Sequence, residues 1–292
     1  MAIEKRDPVT GRVTTGHEWN GIEELETPIP RVVFFFLIVT TLFAVVYWVL
    51  MPAWPVGVTY TKGLLGIDQR EIVARQVEDA AVLRAAWTDR VAGAGFEEIA
   101  ADATLMQHVR DTGRTLFIDN CAACHGTRGT GGPGFPNLAA KAWLWGGDPE
   151  TLAETIRVGI NSTSDETRIS QMLALGRDGM LGMEEVRSVA AYVRSLSDLP
   201  LGEADRGRIE AGQEIFAANC TACHGDDATG STDAGAPDLT DGTWIYGSSA
   251  QAVFTSIYSG RQGHMPHWDG RLTPVDIKLL ALYVGTLGED AR

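Results

Sequence analysis

Cysteine is scarce: four residues in 292, with none to spare for a structural disulfide, because each belongs to a Cys-x-x-Cys-His sequence. Long uncharged apolar runs are scarcer still. Val32 to Leu50 is one of 19 residues without a charge, and no comparable run follows, so the chain does not read as a bundle of membrane helices. Basic charge is in the minority, with 24 Lys and Arg against 38 Asp and Glu and a formal net charge of −14. That balance argues against a nucleic-acid partner. Also missing is a G-x-x-x-x-G-K-S/T loop after a strand, so the glycine-rich stretch from Gly126 to Gly134 reads as flexible chain rather than a phosphate cradle. Overall composition, 45% hydrophobic and 21% charged, is ordinary for a globular protein and leaves the class to local patterns.

The cysteines supply the decisive pattern. Cys121-Ala122-Ala123-Cys124-His125 and Cys220-Thr221-Ala222-Cys223-His224 both have the spacing of covalent haem attachment. In such a motif two thiols form thioethers to the porphyrin and the adjacent histidine ligates iron. Two covalently bound haem c groups are therefore expected, with His125 and His224 as proximal ligands. Attachment needs reduced thiols after export, which assigns the motifs to the outer side of the cytoplasmic membrane.

Residues 31–54 form the expected membrane anchor. Nineteen uncharged residues at 1.5 Å each nearly cross a bilayer core of about 30 Å. Arg31 marks one end, and Tyr47, Trp48 and Trp54 suit the opposite interface. An acidic head precedes the run and no A-x-A site ends it, so it reads as a retained anchor rather than a cleaved leader. Lys5, Arg6, Arg12 and Arg31 before the span, against Lys62 and Arg70 after it, favour a cytoplasmic N-terminus. The haem motifs after the span argue the same way. The expected location is the bacterial inner membrane, single-pass, with periplasmic haem domains and lipid around the anchor.

Residues 1–30 carry Pro8, Gly11, Gly16, Gly21, Pro28 and Pro30 and read as an irregular cytoplasmic segment. His17-Glu18-Trp19-Asn20-Gly21-Ile22-Glu23-Glu24 within it leaves docking to a membrane subunit and a lipid-surface or disordered role equally open. Residues 55–104 read as a helical linker region, with helices over Asp68 to Trp87 and from Phe96 to Val109.

Beyond it the sequence repeats. Gly113-Arg114-Thr115-Leu116-Phe117 is echoed by Gly212-Gln213-Glu214-Ile215-Phe216, Phe135-Pro136-Asn137-Leu138 by Ala236-Pro237-Asp238-Leu239, and Trp145-Gly146 by Tyr246-Gly247. Closing helices are expected over Met183 to Leu196 and Pro274 to Leu287, with Tyr192 and Tyr283 in matching places. The boundary falls near Asp198-Leu199-Pro200-Leu201-Gly202. The expected fold is mostly α: a single N-terminal transmembrane helix followed by two class I-like cytochrome c domains, residues 105–198 and 203–292.

A closed electron-carrying haem commonly takes methionine as its sixth ligand. Met265, in Gly263-His264-Met265-Pro266-His267-Trp268, is the one methionine after His224, with His264 and His267 as rivals. The first half offers Met172, Met180 and Met183. Met183 starts a closing helix and suits the core, Met180 follows a turn, and Met172 precedes its closing helix by about the interval seen for Met265. His17 and His108 need no metal, and with every thiol committed no copper or zinc site is expected. No residue is assigned a catalytic role.

The combination resembles the dihaem cytochrome c subunit, subunit III, of bacterial cbb3-type cytochrome c oxidase. The resemblance rests on Trp19-Asn20-Gly21-Ile22-Glu23-Glu24, Pro28-Ile29-Pro30-Arg31, both haem motifs, Gly159-Ile160-Asn161-Ser162 through Thr167-Arg168, Gln171-Met172, and Gly176-Arg177-Asp178-Gly179-Met180-Leu181. It implies His125 with Met172 and His224 with Met265 as axial pairs. It also implies electron delivery from a soluble or tethered cytochrome c donor toward a membrane-bound monohaem cytochrome c subunit and a haem-copper catalytic subunit, with a small single-helix accessory subunit. Where the family commonly continues Gln-Met-Pro-Ala-Phe-Gly, this chain has Gln171-Met172-Leu173-Ala174-Leu175-Gly176, a change open to loosening the ligand loop or altering access and potential while keeping the sulfur. Residues 56–292 carry 32 acidic and 20 basic side chains, a balance that suits a basic donor. An independent tethered shuttle and the cytochrome subunit of a periplasmic dehydrogenase are the alternative readings.

Overall fold

The computed structural model describes residues 5–197 and 199–288; Asp198 and the final residues of the second expected domain, 289–292, lie outside them. Two compact units divide between Leu83 and Arg84.

The first unit opens with strands β1 (Thr14–Trp19) and β2 (Ile22–Leu25), paired antiparallel. This corrects the irregular reading of residues 1–30. Asn20 (φ 53°) and Gly21 (φ 85°) both take positive φ, the two-residue turn whose twist matches a hairpin. Helix α1 (Arg31–Leu50) follows, 20 residues long with none buried. Its length spans about 30 Å, and it is apolar on every face, as a membrane helix must be. Trp48 and Trp54 pack at its end with ring centroids 5.1 Å apart. After the short strands β3 (Pro55–Val56) and β4 (Thr59–Tyr60), the chain turns back. Leu64 N–H donates to Val49 O (2.9 Å) and Leu65 N–H to Leu50 O (3.1 Å), satisfying carbonyls that a helix end otherwise leaves open.

Helix α2 (Gln69–Gly93) runs six residues beyond the expected Trp87. The segment expected as one helix from Phe96 is two, α3 (Phe96–Ala101) and α4 (Ala103–Asn120). Asp102 makes the break: its carboxylate accepts from Thr104 N–H (2.8 Å) and Leu105 N–H (3.0 Å) and restarts the chain as an N-cap. The rest of the second unit contains α5 (Ala122–His125), a 3₁₀ turn at Leu138–Ala140, α6 (Pro149–Val158), α7 (Met183–Leu196), α8 (Glu203–Arg206), α9 (Ile209–Asn219), α10 (Thr221–His224), α11 (Ala250–Ser259) and α12 (Pro274–Thr286).

Packing in this unit does not follow the two sequence halves. Phe117 of α4 is buried with Leu152 and Ile156 of α6 and with Ile277, Leu280, Ala281 and Val284 of α12. Phe216 of α9 is buried with Val253 and Ile257 of α11 and with Val186, Val189, Ala190 and Val193 of α7. The closing helices are exchanged: each covers the haem-motif helix of the other half. Two glycines permit the close approach. A Cβ on Gly113 of α4 would lie 2.7 Å from the Tyr283 Cβ, and one on Gly212 of α9 only 2.1 Å from Ser188 O. Tyr283 then sets its ring 5.7 Å from Phe117, and Tyr192 its ring 5.3 Å from Phe216. A third cluster, Val91, Ala94, Ile99, Leu105, Val109, Leu279 and Leu282, joins the end of α2 to α12.

Candidate functional site

Each haem motif forms a single helical turn at the end of a longer helix. His125 N–H donates to Cys121 O (3.0 Å) and His224 N–H to Cys220 O (3.0 Å), which brings both thiols and the imidazole to one side of the turn. The chain after each histidine is a built loop, not the flexible one expected for Gly126 to Gly134. Gly131 N–H donates to His125 O and Gly230 N–H to His224 O, both at 2.8 Å.

The loops deliver a carbonyl to each imidazole. Nδ1 of His125 lies 3.2 Å from Pro136 O and Nδ1 of His224 3.1 Å from Pro237 O. A carbonyl only accepts, so Nδ1 carries the proton and Nε2 keeps its lone pair for a metal. Burial holds both histidines below their ordinary pKa, against the opposing pull of these hydrogen bonds. Lowered from the ordinary value, both imidazoles are neutral at pH 7. Burial, with the neighbouring thiol adding to it, pushes Cys121 and Cys220 up to about 11, so these two present protonated thiols.

A cavity of about 1060 Å³ takes in both motifs, Met172 and Met265. Met172 packs against the cluster that holds Phe216 and Cys220; Met265 packs against the one that holds Phe117, Cys121 and Ala122. The structure therefore brings Met172 beside the second motif and Met265 beside the first, the reverse of the pairing that the family resemblance implies. The physical reason is the exchange of closing helices, each of which brings its preceding methionine loop with it. Of the rivals, His267 is engaged by Asp269 at 2.6 Å and His264 is exposed. Met180 and Met183 are both more than half exposed, so Met183 is not the core residue expected. His108 stacks on Trp87 at 4.5 Å, and exposed His17 lies 3.5 Å from Glu24.

Three relatives resemble the chain along nearly its full length. The cbb3-type cytochrome c oxidase subunit FixP of Bradyrhizobium sp. (strain ORS 278) is 45% identical over 282 residues, covering 97% of both chains. The subunit CcoP of Azospirillum brasilense is 40% identical over 99% of both chains, and that of Cereibacter sphaeroides 42% over 94%. The chain belongs to the cbb3-type cytochrome c oxidase subunit III family. Its regions match family profiles in the corresponding order: the N-terminal domain of cytochrome oxidase-cbb3, FixP, over residues 11–58; cytochrome c over 111–197; and cytochrome c oxidase, cbb3-type, subunit III, over 207–284. This subunit III is an electron-transfer chain of the oxidase and is noncatalytic alone. Its single apolar N-terminal helix supports a single-pass place in the inner membrane.

The residues lining the cavity fit haem. Besides the thiols and imidazoles, the buried Trp145 Nε1 and Trp244 Nε1 line it and lack any hydrogen-bond partner, as does buried Arg168 Nε. The Arg168 guanidinium lies 5.0 Å from the centre of the Trp145 ring. Buried donors without acceptors are costly, and the two carboxylates of each haem would supply acceptors. Sequence reasoning paired Trp145 with Tyr246 in the repeat but assigned neither tryptophan nor Arg168 a role; the signal available was the second copy, where Arg261 lies over Tyr246 at 4.3 Å.

Proposed function

We propose that this subunit III relays electrons through two covalently held haems c, with crossed axial pairs: His125 with Met265, and His224 with Met172. The observation that carries this reading is the exchange of α7 and α12, which seats each methionine against the other half's haem-motif helix. Bound haem supplies a one-electron iron couple at each site. Cys121 and Cys124, and Cys220 and Cys223, would hold the porphyrins, their thiols being the groups that add across a vinyl to form thioethers. Pro136 O and Pro237 O fix the imidazole tautomers, and the two methionine sulfurs would complete the ligand sets. With both ligands in place oxygen would find no binding position, and the chain's contribution would be electron delivery.

Within the complex the electrons pass from a soluble or tethered cytochrome c donor toward the monohaem subunit and the haem-copper catalytic subunit. A small single-helix subunit accompanies them. The N-terminus is cytoplasmic, and the haem unit is periplasmic as one body with exchanged closing helices rather than two domains cut at 198 and 203. Its acidity favours a basic donor and faster encounter at low salt.

The pairing is tested with double variants in the intact oxidase. His125→Gln with Met265→Ala should leave one His/Met haem with its native spectrum and potential, because both changes fall on one iron. His125→Gln with Met172→Ala should leave none. The opposite result overturns the crossed assignment.

A further inference from the structure

The helices α6 and α11 end on glycines whose geometry is matched. Gly159 has φ 71° and ψ −172°, and Gly260 φ 71° and ψ 175°. Only glycine adopts that region without strain. Each also lies against the methionine loop of the opposite half. A Cβ on Gly159 would stand 2.4 Å from Met265 O and 2.7 Å from the Pro266 carbonyl carbon; one on Gly260 would stand 2.5 Å from Met172 O and 2.9 Å from Ala174 N. All of these atoms are backbone, so no side-chain rotation relieves the collision.

The residue after each glycine holds the same loop by paired hydrogen bonds. Ile160 N–H donates to Met265 O and Met265 N–H to Ile160 O, both at 2.9 Å. Arg261 N–H donates to Met172 O at 3.0 Å and Met172 N–H to Arg261 O at 2.8 Å. Asn161 then ties the two loops together. Its Nδ2 donates to Ser170 O (2.8 Å) and Gly263 O (2.7 Å), and its Oδ1 accepts from Ser170 N–H (3.2 Å). Ser170 and Gly263 each precede a methionine by two residues.

We infer that Gly159, Gly260 and Asn161 are positioning residues, a backbone clasp that sets where the Met265 and Met172 sulfurs stand and thereby tunes the two haems. Gly159 acts on the iron that takes Met265, Gly260 on the iron that takes Met172, and Asn161 on both. The inference rests on methionine ligation, but it follows each methionine rather than each haem motif, so it is separable from the crossed pairing.

The test uses the intact oxidase and redox titrations that resolve the two haems, with the methionine-to-iron charge-transfer band followed in parallel. Gly159→Ala should lower the potential and weaken that band for the haem altered by Met265→Ala, leaving the other unchanged. Gly260→Ala should do the same for the haem altered by Met172→Ala. Gly179→Ala is the control, since it has φ 77° but open space around its Cβ; it adds strain without collision and should move neither haem. Asn161→Ala introduces no collision, remains informative if the glycine variants do not assemble, and should shift both potentials. Native potentials in Asn161→Ala, or a Gly159→Ala effect on the wrong haem or equally on both, overturn the clasp. A double-variant result favouring uncrossed pairs would overturn the ligation scheme while leaving this comparison intact.

Discussion

The two haem-motif helices are covered in the same way and braced differently. On α12, Lys278 reaches the end of α2, where its Nζ donates to the carbonyls of Val91 (3.0 Å), Ala92 (3.2 Å) and Ala94 (2.6 Å). The equivalent position on α7 is Arg187, whose guanidinium pairs with exposed Glu184 and lies 5.9 Å from the Phe254 ring. The methionine loops differ as well. Met265 is followed by Pro266, whose ring fixes φ, whereas Met172 is followed by Leu173, 55% exposed. Arg261 Nε donates to Ser256 Oγ at 2.9 Å, while its counterpart Arg168 Nε has no protein partner. A repeated scaffold thus gives the first motif the firmer helix brace and the proline-stiffened methionine loop, while the arginine contrast runs the other way: Arg168, bonded through its N–H to Gly159 O beside the Met265 loop, is the one whose Nε has no protein partner. Two haem motifs of identical chemistry acquire different environments from these details alone.

The largest test of that contrast lies in the core. Leu280, fully buried against Phe117, occupies the position of Val189 beside Phe216. Leu280→Ala should cost about 2–5 kcal/mol and, seen by thermal unfolding with haem absorbance as probe, should loosen the first motif's site before the second. Val189→Ala should cost less and reverse that order. If both variants weaken the motif in their own sequence half, the exchange is wrong.

A smaller effect is expected at the brace. Lys278→Met keeps the aliphatic stem but removes the ammonium from the C-terminal carbonyls of α2, a loss of about 1–2 kcal/mol. Hydrogen exchange should rise at Val91 to Ala94 and along α12 while α7 and α9 stay protected. Arg187→Met should change stability by about 0–1 kcal/mol, as an exposed pair does.

The smallest effect concerns the ligand loop. Leu173→Pro gives the Met172 loop the residue that follows Met265 and should raise unfolding stability by about 0.4–1 kcal/mol through reduced freedom of the unfolded chain. The two haem potentials should draw closer. A stability loss would mean that Leu173 needs a backbone conformation closed to proline.

Much of this was legible in the sequence. The Cys-x-x-Cys-His pairs, the uncharged run, the helix-bearing repeat and the preference for Met172 over Met180 and Met183 all come from local spacing, and the structure lines one cavity with the cysteines and histidines of both motifs, Met172 and Met265. The exchange was not legible, because Gly113 and Gly212, Phe117 and Phe216, Tyr192 and Tyr283 are near-equivalent. Either closing helix could satisfy either surface by pattern, and spacing carries no record of which copy is the neighbour. The hairpin at Asn20-Gly21 was a different kind of miss: a strong two-residue turn signal outweighed by the prolines and glycines around it. The break at Asp102 likewise lay in plain view as an N-cap residue inside a helical pattern.

The exchange also orders the birth of the protein. The helices that cover the second motif, α7, α9 and α11, are complete once the ribosome passes Ser259, and Gly260 and Arg261, which hold its methionine loop, follow at once. The first motif is made about a hundred residues earlier, yet it waits for α12, the last helix of the chain. Its contacts with α12 are far more widely separated in sequence than those of the second motif with α7 and α11, and such long-range closures come late. The haem motif nearest the membrane anchor in sequence is thus the one enclosed last, and until α12 arrives its side of the cavity stands open.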